Sequence, residues 1–325
     1  MPRPPAPLPF SLGDAFRVRD GIQAGVSASR LRSRDLVAPF HGVRTRALPP
    51  SAHETDAVWV DDPSARDRAV RERTLWSAVA YATVMPASAF FTGRTAAILY
   101  GLPLDPGDGL DVGVVAPSRA PRGAGIRGVK IEGNLVRLRT VDGLPASSPA
   151  STWAILGREL SVRELVIVGD AIVRIPRGRS GIPLPAARIG TLAQLAAAAD
   201  AGPRRGVARL RAALPLIREG SSSPLESSFR LDAEAAGLPR PDLDVAIRDQ
   251  RGKLLGISEI VYREHGVVVE VEGDHHRTSR AQWDRDLEKY AAYAAAGWEV
   301  VRITSTHLRQ GRAIDLVRAA LARHE

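Results

Sequence analysis

The sequence predicts an α+β chain in three parts, and three observations carry that prediction. The chain has 325 residues, 44% hydrophobic and 25% charged, which is ordinary globular usage and enough for about two domains at roughly 150 residues each. From residue 203 onward the pattern switches repeatedly between helical spacing and strand alternation, in the order α-β-β-β-α-β-α. That order describes a mixed sheet flanked by helices. Basic charge is also unevenly spread: residues 1–200 hold 25 Lys+Arg against 18 Asp+Glu, and residues 201–325 hold 20 against 18. The resulting division is 10–48, 49–200 and 203–325.

In the first part, Ser11 to Ala24 reads as a helix. Ser27 then caps a second short helix, and Leu36 to Arg46 reads as a hairpin turning at Gly42. Two small helices and a basic hairpin follow the order of a winged helix-turn-helix. Arg30, Arg32 and Arg34 open its recognition helix and Arg44 lies on its hairpin, positions suited to contacts with DNA. A small helical cap with a solvated Arg-rich face is the alternative.

The middle part mixes both periodicities. Arg71–Thr83 and Thr92–Tyr100 read as helices, the second stopped by Gly101 and Pro103. Leu110–Ala116, Gly128–Gly133 and Leu135–Val141 alternate as strands. Ser148 and Ser161 precede further helices, and 178–185 is a Gly/Pro-rich loop. No catalytic constellation is visible there; Asp111, Asp142 and Asp170 read as turn or cap residues.

In the third part Ser223 caps a helix with Pro224 at its first position, and the helix stops at Gly237. Strands follow at Leu243–Arg248, Leu254–Tyr262 and Gly266–Glu272. A helix spans Gln282–Ala296, Trp298–Thr304 is a fourth strand, and Ala313–His324 is a closing amphipathic helix.

Composition excludes several chemistries. With no Cys there is no disulfide framework, thiolate metal site or Cys nucleophile. No run of about 18 apolar residues spans a membrane. The proline-rich Met1–Pro9 lacks a signal peptide's apolar core, so a cytoplasmic protein is expected. The net charge of +9 favours nucleic acid as partner. Of the 45 cations, 42 are Arg; Lys occurs only at 130, 253 and 289.

The chemistry concentrates at the end of the third strand of the last part. Along Val267-Val-Val-Glu-Val-Glu272, alternation puts Val268, Glu270 and Glu272 on one face and Val267, Val269 and Val271 on the other. Asp274, His275 and His276 follow. Glu259 lies on the preceding strand, within reach if the two strands pair, and Glu226 on the first helix is a fourth member. Clustered carboxylates repel unless a cation joins them. Mg²⁺ takes one or two carboxylates with water and phosphate oxygens, and so held it activates water against a phosphodiester. A histidine nearby can serve as general acid or base. The plainer alternative makes Glu270 and Glu272 surface charges and the histidines turn residues.

Leu225-Glu-Ser227, Gly237-Leu-Pro239, Gly256-Ile-Ser-Glu-Ile-Val-Tyr262 and Val267–Arg277 come in a familiar order, followed by Trp283, Asp286 and Gly297-Trp-Glu-Val-Val-Arg302. Over about 221–325 the sequence resembles the endonuclease-like domains related to very-short-patch-repair enzymes, within the PD-(D/E)xK superfamily. The resemblance implies a restriction-endonuclease-like core that cleaves DNA with Mg²⁺, or with Mn²⁺ in its place. It puts Glu259 where the family has a metal-binding Asp, Glu270 at the (D/E) position, Glu272 where the wider superfamily often has Lys, and His276 at the histidine after the glycine. The metal set it implies is Glu259, Glu270 and Glu272. Glu at 259 is one methylene longer than Asp, a departure that bears on activity. Asp286, Lys289 and Arg302 read as scaffold ion pairs, and Trp283 and Trp298 as core.

At the front, Phe10-Ser-Leu-Gly-Asp-Ala15, Gly25–Arg32 and Phe40-His-Gly-Val-Arg44 are similar to the winged helix of AbiEi-like antitoxins, and Gly143–Trp153 to the linker domain beside it. This resemblance, over about 10–175, implies DNA binding without catalysis. Two functions are therefore expected: a metal-dependent endonuclease with a DNA-binding front, or a non-catalytic antitoxin-like regulator carrying a degenerate nuclease fold. DNA is the partner in both, and a toxin partner or a homodimer stays open.

Overall fold

The structure, a computed structural model, describes residues 5–46, 63–178, 181–272 and 280–324, without the side chains of 63–67 and 280–286. It is α+β, as the alternating patterns predict. The described residues divide into two compact units at Leu156/Gly157, with the start of the helix at 63 grouped with the second. The composition change at 200–203 thus falls inside the second unit.

The first unit begins with β1 (Ala15–Arg17), α1 (Val18–Gln23), a 3-10 turn at Arg30–Arg32, β2 (Leu36–Val37) and β3 (Val43–Arg46). The strands form a small antiparallel sheet in the order β1-β3-β2. Ser11–Ala24 is therefore not one helix. Phe16 points inward from β1 onto Val26 and Leu31, and pairing with β3 wins over local helical propensity. The expected recognition helix is reduced to the single 3-10 turn.

Next come α2 (Pro63–Ala82), β4 (Ala89–Phe91), α3 (Gly93–Leu99), β5 (Leu110–Val115), β6 (Ile126–Ile131), β7 (Leu138–Val141), β8 (Leu144–Ser147) and α4 (Pro149–Leu156). Their strands make a five-stranded mixed sheet, order β6-β5-β4-β8-β7. Phe91, Leu99, Val112, Val114 and Leu144 fill its core. Asp111, read as a turn or cap residue, is a buried strand residue that also caps: its Oδ2 accepts the Arg94 N–H at 2.8 Å and its Oδ1 accepts Arg127 Nε at 2.7 Å. Gly93 lets the backbone approach, since a Cβ there would stand 2.7 Å from Asp111 Oδ2. Asp142 is a turn residue with φ +48°.

The second unit contains α5 (Val162–Val173), α6 (Leu192–Asp200), α7 (Val207–Ala213), α8 (Pro224–Ala235), β9 (Asp242–Arg248), β10 (Leu254–Tyr262), β11 (Val267–Glu272), α9 (Arg280–Ala295), β12 (Glu299–Thr304), α10 (Ser305–Arg309) and α11 (Ala313–Leu321). The sheet order is β12-β11-β10-β9, with β11 and β12 parallel and the other neighbours antiparallel. Val267, Val269 and Val271 pack with Ile260 and Ile303 onto Phe229 of α8 and Val317 of α11. Val261 and Val268 pack on the other face against Tyr293 of α9. The alternation read from β11 is thus the alternation that builds a helix–sheet–helix sandwich.

Asp170 is also more than a cap. On α5 it forms a fully buried ion pair with Arg230 of α8 at 2.9 Å, and it accepts the Ser227 hydroxyl at 2.7 Å and the Arg218 N–H at 2.8 Å. This pair joins α5 to α8. Burial pushes its carboxyl above the usual range, against the opposing pull of Arg230.

Candidate active site

The strands β10 and β11 pair from Tyr262↔Val267 to Ile260↔Val269 and no further. Just past the last pair, Glu259 on β10 turns its carboxylate to β11, where Oε2 accepts the Val271 N–H at 2.9 Å. The extra methylene that distinguishes Glu from Asp is part of that reach. Glu270 stands on β11 on the face toward α9 and is buried, 6% exposed. Its Oε2 accepts Lys289 Nζ from α9 at 2.9 Å. Its Oε1 is buried and receives no hydrogen bond from any described residue.

Glu226 lies on the first turn of α8, the helix packed on the sheet face opposite to α9. Ser223 caps that helix by accepting the Glu226 N–H at 3.2 Å, and Pro224 sits at its first position. Glu226 Oε2 accepts the Ser222 N–H at 2.6 Å. The three carboxylates sense one another. Burial, with Glu226 and Glu270 nearby, pushes the Glu259 carboxyl up to about 8. Burial also pushes Glu226 up to about 7, against its hydrogen bonds and the Arg174 cation and with Glu270 adding to the rise. A buried acid group of this kind accumulates proton or cation in preference to bare negative charge.

Glu272 is placed differently. It lies on the same face of β11, is less buried than Glu270, and gives Oε1 to Arg302 of β12. Arg302 stands over the Tyr290 ring, 5.4 Å from its centroid. Lys289, read as an ion-pair residue, does form an ion pair, and its partner is Glu270. The signal that could have singled it out is its residue type, since it is one of three lysines in a chain that otherwise uses Arg. Trp298 is partly buried against Val268 and Tyr293. His276, with Asp274 and His275, lies outside the described residues, as do the side chains of Trp283 and Asp286.

Among the described residues no three His, Asp or Glu side chains are grouped closely enough to hold a cation by themselves. The fit to Mg²⁺ is nevertheless good for two. Mg²⁺ is usually held by one or two carboxylates and keeps several waters. Glu270 Oε1 is an unpartnered buried acceptor beside Glu259, a position that a cation and its water would satisfy.

In the first unit, Arg30 is tied to Asp35 through both carboxylate oxygens, 2.9 and 2.8 Å, and to the Ala6 carbonyl. Arg44 donates to the Leu31 and Val43 carbonyls. Both fasten the small sheet to the 3-10 turn. Arg32 and Arg34 are exposed and make no ion pair with described residues. A cavity of about 470 Å³ lies in the same unit, lined by Arg17, Val18, Arg19, Ile22, Gly42 and Val84. It contains none of the carboxylates above.

No family model matches the chain. Over 189 residues it is 28% identical to two uncharacterized proteins of Mycobacterium tuberculosis, Rv2248 and MT2308. The match covers 58% of this chain and spans 64% of the length of those curated relatives. Among solved structures, the crystal structure of the RV2827C protein from Mycobacterium tuberculosis aligns with a TM-score of 0.34 at 18% identity, over 71% of this chain and 78% of that one. Among the described residues no helix is long and apolar enough to cross a membrane.

Proposed function

We propose that the second unit is a divalent-metal-dependent endodeoxyribonuclease. The observation that carries this reading is the unpartnered, buried Glu270 Oε1, standing where β10 and β11 part and in the field of Glu259 and Glu226. A carboxylate kept for structure alone is stabilised when both its oxygens are bonded. The resemblance to very-short-patch-repair-like domains points the same way.

Glu259 and Glu270 would hold Mg²⁺ or Mn²⁺, which when bound supplies Lewis-acid activation of water and offsets charge on the phosphodiester. Glu272, more exposed and with no buried unpartnered oxygen, is left out of this set. Glu226, with its carboxyl near 7, can carry a proton at neutral pH, so it need not repel a phosphate. His276 keeps the acid–base role that the resemblance implies. Exposed Arg32 and Arg34 of the first unit would bind DNA phosphates, which fix position without reading sequence.

The test is cleavage of supercoiled plasmid in Mg²⁺, Mn²⁺ or EDTA by wild type, Glu259→Ala and Glu270→Ala. Metal-dependent nicking that disappears in both variants is expected. A chain that shifts DNA in EDTA yet never cuts it would overturn the reading in favour of a DNA-binding regulator.

A further inference from the structure

We infer that Lys289 is a positioning residue that selects which oxygen of Glu270 is left to work, by clamping one and sparing the other. The inference rests on reading Glu270 as a cation-binding carboxylate. Lys289 Nζ is 2.9 Å from Oε2, while Oε1 is buried and unpartnered.

The clamp is itself held on several sides. At Gly256 of β10 a Cβ would stand 3.1 Å from Lys289 Cε and 2.4 Å from Tyr293 Oη, so the absence of a side chain is what lets α9 settle there. The ammonium lies 5.4 Å from the Tyr293 ring centroid and 5.8 Å from that of Tyr290, both within cation–π range. Ser258 donates to the Tyr293 hydroxyl at 3.0 Å, which fixes that ring.

Residue type then explains the choice. An ammonium is a point charge and satisfies one carboxylate oxygen; a guanidinium is a planar fork that can take two. This chain shows the second behaviour at two acids, while Arg127 and Arg230 each take a single oxygen, of Asp111 and Asp170. Arg30 reaches both oxygens of Asp35 and Arg163 both of Asp232, each through two nitrogens. With 42 of 45 cations Arg, a Lys stands at Glu270, whose unpartnered Oε1 is itself buried among the described residues, and a point charge suits a one-oxygen clamp.

The test is Mn²⁺ binding to the full chain, measured by calorimetry for wild type, Lys289→Arg, Lys289→Gln and Lys289→Met, with thermal melts in EDTA. The clamp predicts an order that charge does not. Lys289→Arg keeps the charge but covers both oxygens and loses tenfold or more in Mn²⁺ affinity. Lys289→Gln loses the charge but keeps a one-oxygen donor and falls no more than threefold. A plain structural ion pair predicts the reverse, and that reverse order would overturn the inference. If Lys289→Arg does not fold, the neutral pair decides. Gln binding at least threefold tighter than Met supports the clamp, and equal binding overturns it. Wild type taking up no Mn²⁺ also overturns it. The expected order in a chain that never nicks plasmid leaves the clamp standing and defeats the nuclease reading. Lys289→Arg cutting and binding like wild type defeats the clamp alone.

Discussion

Each unit buries an acid on a strand and sets a cation against it, and the two sites end differently. Asp111 in the first unit gives one oxygen to Arg127 and the other to the Arg94 N–H. Glu270 in the second gives one oxygen to Lys289 and keeps the other. Both are carboxylates and both are buried, 3% and 6% exposed. What separates an acid that holds a fold from one available to a ligand is the number of donors aimed at it.

The sharpest way to break this comparison uses a third acid of the fully bonded kind. Arg230→Met leaves Asp170 buried without its counter-charge and is expected to cost about 3–5 kcal/mol in urea denaturation. A loss below about 1 kcal/mol would mean that full bonding is not what those acids provide. Next in size is the contrast itself. Glu270→Gln should lower plasmid cleavage by about 10²-fold or more while leaving stability within about 1 kcal/mol. Asp111→Asn should cost about 1–3 kcal/mol of stability, because it disturbs a cap and an ion pair together. Similar stability losses in both variants would erase the distinction.

The smallest effect concerns pH. With its carboxyl near 8, folded Glu259 holds a proton that the unfolded chain releases near 4.3. Between those values the folded state binds more protons, so stability in EDTA falls as pH rises through the window. Glu259→Gln should flatten that fall, melting with wild type at pH 4 and about a few degrees higher at pH 9. Identical melting at both would show that Glu259 is not strained by its neighbours.

Much of the second unit is legible in the sequence because its strands obey strict alternation. Val267, Val269 and Val271 announce the core face, and Glu270 falls on the other. The capped start of α8 at Ser223-Pro224 is equally local. Lys289 is not legible in this way, since helical spacing does not tell which residue of the sheet a helix faces. In the first unit, Ser11–Ala24 has helical composition, but pairing of Ala15–Arg17 with β3 overrides it. Arg30 reads as a free cation until Asp35, five residues on, folds back to meet it. β4 and β8 are short runs buried in the sheet interior, too brief to show alternation.

The bond from Val271 to Glu259 has one more consequence. A backbone amide inside a sheet ordinarily reports on the strand beside it, yet this one is tethered to an ionisable side chain. Its proton is therefore a resident gauge of the site. Whatever withdraws the Glu259 carboxylate, whether an arriving cation or a change of charge, should loosen that single tether. The Val271 amide would then exchange with solvent faster, while Val268 and Val269, within the paired stretch, keep their pace.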